Sequence, residues 1–223
     1  MRRWIGIFLC VVLLCVPVRA KPELKYVALT FDDGPSGRFT RQLLEGLEQR
    51  GVKATFLLCG YRVKEDSKTT RRIFESGHEI GLHGYSHKSM GNMSKKDIAE
   101  ELRQTMVLLP EGCKPVFFRA PGGQVTPAVK AAAKEAELSI LNWSVDPRDW
   151  ATRDATAVVQ AVVSDVADGD VILLHDMCGS SVEAALAIVD SLLRRGFQFV
   201  TASELAALRN TEPQPGLVYT RFR

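Results

Sequence analysis

The sequence predicts an α/β fold with a parallel sheet, and it favours a closed barrel over an open sheet. From Lys25 onward, short apolar runs alternate with longer amphipathic stretches, and this unit repeats seven times in a chain of 223 residues. Three of the amphipathic stretches end at a glycine, which is typical of a left-handed helix cap. Periodicity leaves an open sheet as the alternative. In both architectures the active site is expected at the carboxyl ends of the strands.

Seven apolar runs have the length and composition of strands. They span residues 26–31, 55–58, 79–82, 116–119, 138–143, 171–175 and 197–201. Seven amphipathic stretches have the apolar spacing of helices. They span residues 38–50, 65–76, 95–109, 127–137, 155–167, 182–195 and 202–209. Residues 21–209 are therefore predicted to form one domain, and residues 210–223, which lack periodicity, to form a C-terminal appendage.

Residues 1–20 have the pattern of a cleavable signal peptide. Arg2 and Arg3 precede an apolar run, and Val18 and Ala20 are small residues at the positions read by a signal peptidase. The sequence therefore predicts a protein that is secreted or located in the cell envelope. An uncleaved membrane anchor is the alternative, but the apolar run is shorter than the ~20 residues of a bilayer span.

The charge of the mature chain argues against a nucleic-acid partner. The whole chain has 29 basic and 26 acidic residues, and three of the arginines lie in residues 1–20, so the rest has no formal net charge. A strongly basic balance would be typical of binding to nucleic acid or to an anionic membrane. We expect a neutral partner such as a glycan, no membrane contact beyond the signal peptide, and a monomer. The three cysteines of the mature chain allow one disulfide at most, and their spacing is not that of a zinc finger.

The first predicted strand ends in the segment TFDDGP. Asp32 and Asp33 are adjacent carboxylates after an apolar run, and such groups are costly to bury without partners. Neighbouring side chains of an extended chain point to opposite sides, so the two acids can have different roles. Taken alone, the segment is more typical of an ordinary turn with a helix cap.

Three of the four histidines lie at the ends of predicted strands. His83 and His87 stand four residues apart, which would place both imidazoles on one side of a helical turn and suits a single metal ion. A pair of surface histidines is the alternative for these two. His175 ends the apolar run LLH, at the end of the sixth predicted strand.

Two further polar clusters follow predicted strands. Arg119 begins the segment RAPGG, and the segment DPRDW follows the strand that ends at Trp143. Taken singly, Arg119 is compatible with a surface cation and Trp150 with a core aromatic. Together with the acids and the histidines, they indicate a catalytic site at one rim of the fold.

The segments TFDDGP, HGYSH, RAPGG, DPRDW and LLH, in this order, resemble the five motifs of carbohydrate esterase family four, the NodB-type polysaccharide deacetylases. The resemblance extends over residues 25–208 and implies a distorted (β/α)7 barrel. It also implies a secreted, metal-dependent enzyme that hydrolyses N-acetyl groups of glycans containing N-acetylglucosamine or N-acetylmuramic acid. Peptidoglycan is the first choice of substrate and chitin oligomers are the second. Acetylxylan O-deacetylation is the alternative reaction, and a non-catalytic glycan-binding barrel would be expected to lack Asp32 or His175.

The resemblance assigns one group of motif residues to a metal ion and a general base. Asp33, His83 and His87 correspond to the ligands of a divalent metal, for which zinc is the expected ion. Asp32 corresponds to the general base that takes a proton from water. Arg119 corresponds to the arginine that pairs with this base.

A second group of motif residues corresponds to the general acid and the substrate pocket. His175 corresponds to the general acid, and Asp149 to the carboxylate that orients it and raises its pKa. Gly122 corresponds to the residue whose backbone N–H stabilises the oxyanion. Trp150 and Leu173 correspond to the walls of the acetyl pocket.

The chain departs from the family pattern at two positions. Gly84 stands where relatives usually have a serine or threonine that supports the loop, so we expect the loop to depend on Ser86 or on a backbone contact. Gly122 stands where relatives commonly have an aromatic residue; it keeps the backbone N–H but provides no aromatic surface beside the sugar. We therefore expect that activity is retained and that substrate selection is altered.

Overall fold

An eight-stranded sheet surrounded by helices forms the body of the structure, a computed structural model that describes residues 24–223. The predicted signal peptide lies outside the described residues. The strands are β1 (Lys25–Asp32), β2 (Thr55–Leu58), β3 (Glu79–Leu82), β4 (Phe117–Phe118), β5 (Ser139–Leu141), β6 (Val171–His175), β7 (Phe197–Val200) and β8 (Val218–Tyr219). The helices are α1 (Arg38–Gln49), α2 (Gly60–Glu65), α3 (Ser67–Glu75), α4 (Lys95–Met106), α5 (Pro127–Glu135), α6 (Asp149–Thr152), α7 (Ala155–Asp165), α8 (Gly179–Arg194) and α9 (Ala202–Leu208), and a 3-10 turn spans Pro121–Gly123.

The strands form a curved parallel sheet in the order β6–β1–β2–β3–β4–β5–β8. Strand β7 pairs with the first half of β1, whereas β2 pairs with the second half. After β5 the chain reaches the other end of the sheet, where Val145 bridges Ile172 of β6 and its carbonyl accepts the N–H of Leu173 at 3.0 Å. This contact closes the curve, and the prediction of a distorted α/β barrel is confirmed.

Strand β1 shows how the sequence pattern positions the site. Its residues from Val27 onward are buried, as expected for a central parallel strand that is covered on both faces. Val27, Leu29 and Phe31 belong to the larger core cluster, together with residues of helices α1 and α8. Ala28 belongs to a different cluster, inside the barrel. Because side chains alternate along a strand, Asp32 at the end of β1 shares the face of Ala28 and reaches the mouth of the barrel.

Residues 210–223 take part in the sheet, so the expectation of an appendage is wrong. Strand β8 pairs with β5, and Phe222 is 2% exposed, with its ring centroid 6.2 Å from that of Phe117. The backbone N–H of Phe222 also donates to the carbonyl of Gly169 at 2.8 Å. A strand of two residues has no measurable period, and for this reason the pattern did not reveal it.

Two short helices also escape the sequence pattern. Helices α2 and α6 have six and four residues, which is too few for an amphipathic period.

Within the described chain, Cys59, Cys113 and Cys178 are free thiols. No helix of residues 24–223 is long and apolar enough to cross a bilayer.

Replacing Phe222 with alanine is expected to lower the free energy of unfolding by about 3–5 kcal/mol, because the change leaves a cavity at the base of the barrel. Chemical denaturation followed by circular dichroism measures this value. Leu217→Ala in the same tail, where the side chain is 55% exposed, is the matched control. It is expected to change the value by less than about 0.5 kcal/mol. Equal effects of the two substitutions would contradict a structural role for the tail.

Candidate active site

The predicted site residues surround one cleft of about 410 Å³ at the carboxyl ends of the strands. Eight of them line it: Asp32, Asp33, His83, His87, Gly122, Trp150, Leu173 and His175. The other two, Arg119 and Asp149, are buried behind the lining. The cleft therefore collects residues from the ends of β1, β3 and β6 and from the segments that follow β4 and β5.

Three ligand atoms converge on one point beside the end of β1. Oδ1 of Asp33 lies 2.9 Å from Nε2 of His87 and 3.3 Å from Nε2 of His83. Oδ1 nevertheless makes no hydrogen bond of good geometry with any described residue. The cluster thus resembles three ligands directed at a common ion more than a hydrogen-bonded network. Two imidazoles and one carboxylate fit a divalent ion, and this donor set suits zinc.

The backbone brings the ligands together in a way that their spacing did not predict. The chain between His83 and His87 is not helical, since Gly84 and His87 have left-handed φ angles of 77° and 57°. The expectation of a helical turn is therefore wrong, and the two rings approach across an irregular turn with centroids 5.1 Å apart. Asp33 is also left-handed, with φ of 74°. The side chains of Asp32 and Asp33 consequently do not point to opposite sides. Oδ2 of Asp32 lies 3.7 Å from Nε2 of His83, and Oδ1 of Asp33 lies 3.3 Å from the same nitrogen.

The protonation of the cluster suits a metal ligand set. Nδ1 of His83 lies 2.8 Å from the carbonyl oxygen of Arg119, which can only accept, so Nδ1 carries the proton of the neutral ring. Nε2 then has a free lone pair on the side of Asp33. Burial would raise the pKa of Asp33, but the imidazoles of His83 and His87 bring that pKa below its ordinary value. Asp33 is therefore ionised at neutral pH.

The guanidinium of Arg119 is fully buried and orients Asp32. Its Nη1 donates to Oδ1 of Asp32 at 2.6 Å and to the hydroxyl of Thr30 at 3.0 Å. Nε and Nη2 donate to the carbonyl oxygens of Leu141 at 2.6 Å and Asn142 at 3.0 Å. These contacts hold Oδ1 of Asp32 toward the interior. Oδ2 is left on the side of the ligand cluster, 3.7 Å from the nearest imidazole nitrogen.

His175 forms a pair with the buried carboxylate of Asp149. Nδ1 of His175 donates to Oδ1 of Asp149 at 2.8 Å, and the backbone N–H of His175 donates to Oδ2 at 3.0 Å. Burial would lower the pKa of His175, but the hydrogen bond to Asp149 and its charge raise that pKa to about 9. The ring is therefore protonated at neutral pH, and its second N–H is available on a residue that lines the cleft.

Apolar and polar side chains complete the lining. Trp150 stands at the rim with 54% of its surface exposed, and Leu173 is almost fully buried. At Gly122, an added Cβ would meet no atom of the described residues within 4 Å, so the cleft is open on this side. Trp143 and Asp146 also line the cleft, although no role was predicted for them. Both follow the end of β5, and this position was the signal available in the sequence.

A buried carboxylate beside His175 was not predicted either. Asp176 is fully buried, accepts a hydrogen bond from the hydroxyl of Thr40, and has an Oδ1 atom without a partner among the described residues. Its two oxygens lie 2.7 and 2.8 Å from the position that a Cβ of Gly34 would take. Burial raises the pKa of Asp176 to about 7. Asp176 therefore packs the loop after Asp33 against the strand of His175.

Comparisons with known proteins agree with this geometry. A family model described as polysaccharide deacetylase matches residues 19–141. A peptidoglycan-N-acetylglucosamine deacetylase of Bacillus cereus is 38% identical over 81% of this chain and 88% of its own length. A peptidoglycan-N-acetylmuramic acid deacetylase of Bacillus subtilis is 33% identical over 84% of this chain, which spans only 40% of that longer relative.

A solved structure has the same fold. The family 4 acetyl xylan esterase from Clostridium thermocellum, in complex with a cobalt ion, matches 88% of this chain and 98% of its own with a TM-score of 0.82 and 35% identity. The family model covers more than half of the chain, and with the relatives and this solved structure it confirms the family that the motifs resemble. The chain belongs to the polysaccharide deacetylase family and is a hydrolase of acetylated carbohydrates.

Proposed function

We propose that the protein is a secreted, metal-dependent deacetylase that removes N-acetyl groups from glycans containing N-acetylglucosamine or N-acetylmuramic acid. One observation carries the proposal: a cluster of three ligand atoms, a carboxylate beside it and an imidazole paired with a buried carboxylate line the same cleft. Residues 1–20 would direct the chain out of the cytoplasm, and the chain would act as a monomer.

Asp33, His83 and His87 would hold the metal ion, with zinc as the expected identity. When bound, a divalent ion supplies Lewis acidity that polarises an acetyl carbonyl and makes a water molecule more acidic. The chain itself contributes the orientation of the three ligands. The proton on Nδ1 of His83 keeps Nε2 free, and the ionised carboxylate of Asp33 supplies the negative charge.

Asp32 would act as the general base. Its Oδ1 atom is occupied by Nη1 of Arg119, so only Oδ2 is free to take a proton from the attacking water. This oxygen lies next to the ligand cluster, where the water must stand to reach the acetyl carbon. The hydrogen bond to Arg119 and the burial of Asp32 hold its carboxylate in this orientation.

His175 would act as the general acid that protonates the departing amine. Its Nδ1 is held by Asp149, and its other nitrogen carries the proton that is delivered. The backbone N–H of Gly122 would stabilise the negative charge that develops on the acetyl oxygen. Trp150 and Leu173 would enclose the acetyl methyl group, with Leu173 buried at the base and Trp150 exposed at the rim.

Peptidoglycan is the first choice of substrate and chitin oligomers are the second. The peptidoglycan deacetylase of Bacillus cereus supports this order, because this chain matches 88% of its length. Acetylxylan O-deacetylation is the alternative reaction, and the likeness to the acetyl xylan esterase favours it. Ester and amide hydrolysis pass through similar tetrahedral intermediates, so the same side chains serve both reactions.

The purified chain is expected to release acetate from peptidoglycan, and dialysis against a strong chelator is expected to abolish the release until zinc is added back. Acetate is measured with four substrates: peptidoglycan acetylated on glucosamine alone, peptidoglycan acetylated on muramic acid alone, chitin oligomers and acetylated xylan. Release from xylan alone would replace the proposed reaction by its alternative. Acetate release that is indifferent to chelation would refute the metal site.

Asp32→Asn is expected to reduce kcat by about 10²–10⁴-fold, because the amide cannot take a proton from water. Zinc affinity should stay close to that of the wild type, since Asp32 is not a proposed ligand. The substitution also leaves the buried Arg119 without a counter-charge, so activity is compared at a temperature at which circular dichroism shows the variant to be folded. Wild-type turnover in the folded variant would exclude Asp32 as the base.

Asp149→Asn is expected to shift the alkaline limb of kcat/KM to lower pH. Asp149 raises the pKa of His175 to about 9, so in the wild type the acid is protonated below that pH and activity falls above it. Without the carboxylate, burial lowers the pKa of His175, and the protonated fraction at neutral pH decreases. The pH profile and the NMR titration of His175 should move together. An unchanged alkaline limb would show that His175 is not the general acid.

A further inference from the structure

A glutamate on helix α4 holds the turn that carries two of the candidate metal ligands. Oε2 of Glu101 accepts the backbone N–H groups of Tyr85 and Ser86, each at 2.7 Å. Oε1 accepts the hydroxyl of Ser86, also at 2.7 Å. All three donors lie between His83 and His87, so one carboxylate accepts every one of these hydrogen bonds from the middle of the turn.

The packing of its own helix fixes the position of Glu101. Ile98 and Leu102, on the buried face of α4, belong to a core cluster that contains Leu82, the last residue of β3. The next residue along the chain is His83. The carboxylate and the first ligand are therefore both tied to the end of β3, and the turn between them has a rigid support on each side.

The conformation of Gly84 explains why the turn between His83 and His87 is supported by a residue of helix α4 and not by a side chain of its own at position 84. Its φ of 77° is unfavourable for a residue with a side chain. An added Cβ would also lie 2.8 Å from Cε of Met90 and 3.3 Å from Oε2 of Glu101. A serine or threonine at this position, as in the family pattern, would be strained by the left-handed φ and would have to displace Met90 and the carboxylate of Glu101. In this chain the carboxylate of Glu101 supports the turn instead.

We propose that Glu101 is a positioning residue that sets the separation and direction of the two imidazoles for a divalent ion. The proposal rests on the metal site of the proposed function. Glu101 acts through the backbone of Tyr85 and Ser86, in the way that outer partners orient metal ligands. The side chain of His87 is 42% exposed, so little besides this turn holds it toward Asp33.

Glu101→Ala is expected to weaken zinc binding by about 10–100-fold, as measured by competition with a chromophoric chelator. The visible absorption of the cobalt-substituted protein should change as well, because it reports the ligand geometry. Glu101→Gln keeps an oxygen for the two backbone N–H groups and an amide that can donate to the hydroxyl of Ser86. Its zinc affinity is expected to stay within about threefold of the wild type.

Glu100→Ala is the matched control, because Glu100 lies on the same helix and accepts hydrogen bonds only from Arg103 and Gln104 in the described structure. It should bind zinc as the wild type does. Thermal unfolding of the metal-free variants separates lost metal affinity from lost fold. If Glu101→Ala does not fold, Ser86→Ala, which removes one of the three hydrogen bonds, should still weaken zinc binding measurably.

Two results would overturn the proposal. In the first, Glu101→Ala binds zinc with wild-type affinity and leaves the cobalt spectrum unchanged. In the second, Glu101→Gln is as weak as Glu101→Ala, which would mean that charge and not position is what matters. A wild-type chain that binds neither zinc nor cobalt would instead contradict the proposed metal site itself.

Discussion

One buried cation, the guanidinium of Arg119, is the group on which the rest of the site depends. A fully buried charge is stable only when it is both paired and hydrogen-bonded, and the partners here come from β1 and from the end of β5. The carbonyl oxygen of Arg119 in turn accepts a hydrogen bond from Nδ1 of His83. A single residue thus orients the proposed base, fixes the tautomer of a proposed ligand and joins strands that are far apart in the sequence.

The different environments of Asp32 and Asp33 follow from the bend between them. Asp32 ends a strand and extends into the barrel, where Arg119 binds one of its oxygens. Asp33 takes a left-handed conformation that turns its carboxylate to His83 and His87. Left-handed non-glycine residues cost about 1–3 kcal/mol each, and such strain tends to collect at functional sites. The surrounding core holds that strain in place.

The sequence could predict the parts of the fold and site that repeat or stand at strand ends. The apolar runs predicted the main strands. The polar residues at the ends of these runs, among them Asp32, His83, Arg119 and His175, were predicted to lie together at one rim. It could not predict how the ligands approach, because the turn after His83 depends on a carboxylate from a distant helix and not on a helical period. Strand β8 and Asp176 were missed for a related reason: a two-residue strand and a packed side chain leave no periodic trace.

The contact between Gly34 and Asp176 limits how such a site can change during evolution. The carboxylate fills the space that any larger residue at position 34 would need, although the two positions are far apart in the sequence. A larger residue at position 34 therefore fits only if the side chain at position 176 becomes smaller or moves, so the effects of substitutions at the two positions are expected to depend on each other. An engineer who replaces Gly34 by a larger residue therefore has to change the residue after His175 as well.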